Sequence, residues 1–283
     1  MRWRGRRGSG NIVDRRRSGG RRAAGGIGGL GLIVVLVLGW FFGIDVTPLL
    51  QAVGGGQSSA PRQEISAQDD QMAQFVSVTL ADTEEVWTDI FERQLGRPYD
   101  EPELVLFSGT VRSACGGASA ATGPFYCPAD ERAYLDTDFF YTLDRRLGAS
   151  GDFAAAYVIA HEVAHHVQNE LGILGEVNAL RQRASPRESN ALSVRIELQA
   201  DCFSGIFARA AESRFGSLEP GDLDEAVNAA RQIGDDMLQR QSGQVVQPHT
   251  FTHGTSEQRQ RWFVRGYETG DLTQCDTFIT NQL

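Results

Sequence analysis

Eighteen residues, Ile27 to Ile44 (IGGLGLIVVLVLGWFFGI), pass without a single charge, and that run constrains whatever lies on either side of it. At about 1.5 Å per residue a helix of this length reaches the short end of what crosses a hydrocarbon core. Met1 to Arg22 holds nine arginines against one acid, Asp14, a formal +8; the whole chain is −9, so the remainder carries −17. A basic flank before the run and Asp45 after it predict a cytoplasmic N-terminus and a large C-terminal part outside. Trp40, Phe41 and Phe42 fall where an interfacial aromatic belt belongs. The run is longer than a signal-peptide core, and no small-x-small cleavage site follows closely, so it reads as an uncleaved anchor. The acidic body argues against nucleic acid as a partner, because phosphate would be repelled.

The chain therefore divides into a basic cytoplasmic tail (1–26), a transmembrane anchor (27–44), a flexible linker (45–77) and a folded domain (78–283). The linker is rich in Gly, Gln, Ser and Ala, with few large apolar side chains to bury. Within the domain, Asp82 and Glu85 look like a capping box opening a helix that Gly96 and Pro98 stop. Leu104–Phe107, Phe125–Cys127 and Ala133–Leu135 read as short strands, and Phe139–Leu147 as a helix. Helical patterns then cover Phe153–Leu171, Glu188–Phe215 and Asp222 to about Arg240. A last helix opens at a Thr255/Gln258 capping box and ends at Gly270. The count predicts a mostly helical α+β domain with a small early sheet.

All four cysteines, Cys115, Cys127, Cys202 and Cys275, lie beyond the anchor. An even count outside the cytoplasm favours two disulfides, in any of three connectivities. One of these closes a short loop between Cys115 and Cys127 and ties Cys202 to the tail at Cys275. No C-x-x-C pair supports a cysteine-ligated zinc.

The chemistry concentrates at His161-Glu162-Val163-Ala164-His165. Histidines four apart share a helix face, so both imidazoles reach one metal ion. Zinc held there lowers the pKa of a bound water to roughly 7, and Glu162, one step round the helix, is placed to take its proton. Tyr157, Val158, Ile159, Val163 and Val167 make this a half-buried helix, not a solvated polar face. His166 points about 100° from His165 and does not share the ion. Two histidines leave a catalytic zinc short of one protein ligand. Glu197 and Asp201, four apart on an otherwise apolar helix, offer a carboxylate ligand and an acceptor for the second ring N–H of His161. The competing reading for both acids is an ion pair with Arg195 or Arg209; Glu176, Glu188 and Glu212 are weaker ligand candidates.

H-E-x-x-H followed by E-x-x-x-D on the next helix resembles the gluzincin pattern of zinc peptidases. The longer run resembles the bacterial family of putative neutral zinc metallopeptidases, which are single-pass membrane proteins. Four stretches carry the likeness: Ser113 to Asp136 (SACG, GPFYCP, AYLD), the AHEVAHHVQ helix, Glu197 to Gly205 (ELQADCFSG), and Phe251 to Phe278. The resemblance implies Zn2+, a zincin-like (gluzincin-type) fold, His161, His165 and Glu197 as ligands, Glu162 as general base and Asp201 behind His161. His253, before the last helix, is a candidate oxyanion donor, with Tyr157 as the alternative. The small residues Ala118 to Ala121 are a candidate strand edge for a substrate backbone.

The expectation is a membrane-anchored, extracytoplasmic zinc endopeptidase acting on peptide or protein. Its rivals are a catalytically silent zinc-binding module and a zinc amidase acting on cell-wall peptides.

Overall fold

In the computed structural model, which describes residues 1–16, 65–119, 123–280 and 282–283, the longest buried segment is the helix that carries the two histidines. Six short strands and eight α-helices are described: β1 (Ile12–Asp14), α1 (Ala67–Ile90), β2 (Glu103–Phe107), β3 (Thr110–Ser113), β4 (Gly116–Ser119), β5 (Phe125–Cys127) and β6 (Arg132–Asp136), then α2 (Thr137–Arg145), α3 (Asp152–Glu170), α4 (Ile173–Arg181), α5 (Pro186–Phe215), α6 (Asp222–Gln232), α7 (Asp235–Gln241) and α8 (Ser256–Thr269). The α+β class holds, mostly helical with a small sheet. The sheet runs β1-β2-β6-β5, parallel except for the antiparallel edge strand β5; β3 and β4 form a separate hairpin.

Strand β2 is apolar on both faces, so it is buried on both. Leu104 and Leu106 join the main core, while Val105 and Phe107 pack with Val111, Cys127 and Tyr134 on the other side. Helix α3 is buried along nearly its whole length, packing on α5, α6 and the sheet. It starts where Phe153 N–H donates to Glu225. Helix α5 opens with a Ser185/Glu188 capping box and Pro186 in its first turn, and closes at Gly216 in the left-handed conformation (φ 56°). Helix α8 opens at the Thr255/Gln258 capping box. The crossing of α5 and α8 is very tight: a Cβ on Gly266 would lie 1.8 Å from the Cys202 carbonyl oxygen, and one on Gly205 would lie 2.0 Å from that of Phe263. Only glycine permits that approach. Disulfides Cys202–Cys275 and Cys115–Cys127 fasten α5 to the C-terminal segment and the β3–β4 hairpin to β5.

Three expectations change. Helix α1 does not begin at Asp82 but at Ala67, behind a Ser66/Asp69 capping box, so the linker ends before residue 65 and not at 77. Phe75, Val76, Val78 and Leu80 bury one flank of those extra turns, and Asp82 is an interior helical residue. Secondly, the helix read from Asp222 to Arg240 breaks at Gly234, where a Cβ would collide with Ser256 N at 2.5 Å. Thirdly, the first 16 residues are not a separate tail. β1 pairs in parallel with β2, and Trp3 is buried edge-on against Phe75. The anchor at 27–44 and the linker up to 64 lie outside the described residues. Among the described residues no helix is long and apolar enough to cross a membrane.

Candidate metal centre

Helices α3 and α5 bring three side chains to one point. His161 Nε2 lies 3.0 Å from Glu197 Oε2, and His165 Nε2 lies 3.6 Å from Glu197 Oε1. Ligands at about 2.0–2.1 Å from a tetrahedral zinc sit roughly 3.3 Å from one another, and these spacings bracket that value. The three donors are two imidazoles and a carboxylate, the set that suits zinc with one position left open.

The outward nitrogens are held as well. His161 Nδ1 is 3.0 Å from Asp201 Oδ1, so an N–H there leaves Nε2 with its lone pair toward the ion site. His165 Nδ1 does the same with Gln168 Oε1 at 2.8 Å. Gln168 is fully buried, and its amide donates to Ile196 O at 2.8 Å and Gln199 Oε1 at 3.0 Å, so it ties α3 to the turn of α5 that carries Glu197. His166 faces away: its ring sits between the Tyr126 hydroxyl and the Asp100 carbonyl, and burial lowers its pKa.

Charge is balanced locally. Asp201 is completely buried and receives Arg259 Nε on Oδ2 and Nη2 on Oδ1, both at 2.9 Å. Burial pushes its carboxyl up, but Arg259 and His161 more than offset this and keep it below the usual range. Glu197 is also pushed up by burial and is held well below the ordinary range by His165 and His161. Burial alone would lower His161; its two carboxylate partners raise it to about 9. Arg195 and Arg209, the expected alternative partners of these acids, instead donate to backbone carbonyls of Thr277 and Thr280 and of Tyr267 and Glu268. Glu188 serves its capping box, and Glu212 accepts Leu218 N–H.

Glu162 is buried and makes no hydrogen bond among the described residues; burial raises its pKa. It lines a cleft of about 870 Å³ with His161, His165, Glu197 and His253. His253 is half-exposed, its Nδ1 3.1 Å from Asp235 Oδ1. Burial pulls its pKa down, and the Asp235 hydrogen bond with the field of Glu197 carries it above the ordinary value. Asp235 Oδ2 also accepts the N–H groups of Thr252, His253 and Gly254, fixing the loop. The hydroxyl of Tyr157 is fully engaged: it donates to Asp201 at 2.5 Å and accepts from Arg259 at 3.1 Å, and so is not free for an oxyanion. Of the expected substrate edge, Ala118 lies in β4, while 120–122 fall outside the described residues. The described cleft wall here is Gly123 to Tyr126 with Pro128, which includes edge strand β5.

Sequence reading missed Gln168, Asp235 and Arg259. The first lies three residues beyond His165, a spacing visible in the sequence. The other two reach the site only through the break at Gly234 and the α5–α8 crossing.

Helical scaffold, donor set and open cleft together define the class of a zinc peptidase. The family described as "putative neutral zinc metallopeptidase" matches residues 1–278, and the chain belongs to it. Zinc is accordingly its cofactor. The chain is 48% identical to the uncharacterized protein YpfJ of Escherichia coli K12 over 286 residues, 98% of this chain and 99% of that one. It is 46% identical over 195 residues to the uncharacterized protein Rv2575 of Mycobacterium tuberculosis, 65% of each. No solved structure matches it.

Proposed function

We propose that the chain is a zinc endopeptidase with His161, His165 and Glu197 as ligands and Glu162 as general base. The observation that carries this reading is the convergence of two imidazole Nε2 atoms on one carboxylate, beside a second, unpartnered carboxylate in the same cleft. When bound, zinc supplies a Lewis acid that polarises the scissile carbonyl and makes water a nucleophile near neutral pH. Glu162 accepts the proton of the attacking water and delivers it to the leaving amine; its desolvated carboxyl suits such a shuttle. His253, oriented by Asp235, donates from its other nitrogen to the oxyanion. The substrate backbone lies along the outer edge of β5, the edge strand among the described residues that borders the cleft.

Two disulfides favour an oxidising compartment, and the uncharged run 27–44 would hold the enzyme at a bilayer. Peptide-library cleavage by the full chain and by Glu162→Gln tests the proposal. We expect the variant to keep its zinc and lose at least a hundredfold in kcat. Equal cleavage by both would remove the assigned base.

A further inference from the structure

Residues 1–16 form an arm built into the domain. Its backbone is stitched at several points: Arg2 N–H donates to Ser217 O at 2.7 Å, Ser9 N–H to Ser77 O at 2.9 Å, and Arg15 N–H to Leu106 O at 2.7 Å, while Leu104 N–H donates to Asn11 O at 2.9 Å. The strand register is Ile12 with Leu104, Val13 with Val105 and Asp14 with Leu106. Where the arm crosses α1, a Cβ on Gly8 would meet Ser77 Oγ at 2.6 Å, so the two chains are in close contact.

The side chains complete the match. Asp82 and Glu84 are each only 2% exposed, and their hydrogen-bond partners come from the arm. Arg6 Nη1 reaches Asp82 at 2.6 Å; Ser9 Oγ and Asn11 Nδ2, the latter at 3.0 Å, reach Glu84. Arg7 adds Glu85 at 3.2 Å, and Arg16 donates to Asp69 O at 2.8 Å. Buried carboxylates without partners are costly, so the domain and arm are fitted to each other. Arg6 and Arg7, which belong to the basic segment read as a cytoplasmic retention signal, are thus counter-ions of acids on α1.

A hydrogen bond of about 2.9 Å cannot span a hydrocarbon core about 30 Å thick. We infer that the arm and the zinc domain lie on the same side of any membrane the chain meets. A cytoplasmic N-terminus with an external domain would empty the β1 position and strand Asp82 and Glu84.

Impermeant thiol labelling of the full chain in intact cells tests this. One variant carries Arg4→Cys on the arm and another Gln244→Cys on the domain; both positions are exposed, and the native cysteines are all in disulfides. Both sites labelled, or both protected until lysis, is the expected pattern. One labelled and the other protected overturns the inference. The outcome is independent of catalysis, because neither position belongs to the cleft.

Discussion

Arg259 grips Asp201 through two hydrogen bonds of 2.9 Å, and Asp201 in turn orients His161 at 3.0 Å. A cation on α8 therefore fixes a histidine on α3 through an acid on α5. Truncating Arg259 leaves a fully buried carboxylate without its counter-ion. Arg259→Ala is expected to weaken zinc binding by roughly 10–100-fold, read by chelator competition. Arg259→Lys, which cannot make the paired contact, should recover only part of the loss.

The pairing of His253 with Asp235 at 3.1 Å allows the proposed oxyanion donor to be tested apart from metal binding. His253→Ala should lower kcat by about 10²-fold with zinc content unchanged, as expected for a lost oxyanion donor. Asp235→Asn should lower kcat too and also cost roughly 1–2 kcal/mol of stability, because Asp235 accepts three backbone N–H groups. A kcat of His253→Ala equal to the wild type would limit His253 to a loop role.

How much of this was legible in the sequence follows from how far apart the partners lie. His161, Glu162 and His165 share one helical turn, so their spacing alone discloses a face. Glu197 and Asp201 stood out because carboxylates are out of place on an apolar helix. Arg259 and Asp235 carried no such signal: each sits in a polar stretch, and only the glycine contacts at Gly205, Gly266 and Gly234 bring them inward. The arm escaped notice because its arginines resemble a topology signal, and its acidic partners on α1 are some seventy residues further on.

Burial pushes the Asp82 carboxyl up to about 7 against the pull of Arg6 and Arg7. An acid raised in the fold above its unfolded value of about 3.9 favours folding at low pH, and that benefit fades as pH climbs through 7. Above 7 the ionised carboxylate depends on Arg6. Arg6→Ala should therefore destabilise more at pH 8 than at pH 5, by about 1 kcal/mol, since a carboxyl with a pKa of about 7 can supply no more than about 1.4 kcal/mol over the one pH unit above it. Thermal melts at the two pH values provide the check, and equal losses would contradict the ion pair. Lost stacking of Arg6 on Phe215, 4.1 Å from the ring centre, should add a pH-independent part.

Arg146 and Arg181 line the cleft, and neither has a carboxylate partner among the described residues. With Glu162 and Glu197 taken up by the proposed metal site, the remaining charge on the cleft wall is positive. Peptides with an acidic side chain near the scissile bond should be preferred, and Arg146→Glu should cut kcat/KM for them about tenfold while sparing neutral peptides. A uniform loss across the library would point to damage of the cleft wall instead.

The central claim is that one zinc ion is held between α3 and α5 by His161, His165 and Glu197. The direct measurement is metal content of the purified full chain beside His165→Ala and Glu197→Ala, with circular dichroism to show that each is folded. About one zinc per wild-type chain and a large loss in both variants are expected. A folded wild-type chain that takes up no zinc, or variants that retain it fully, would contradict the account.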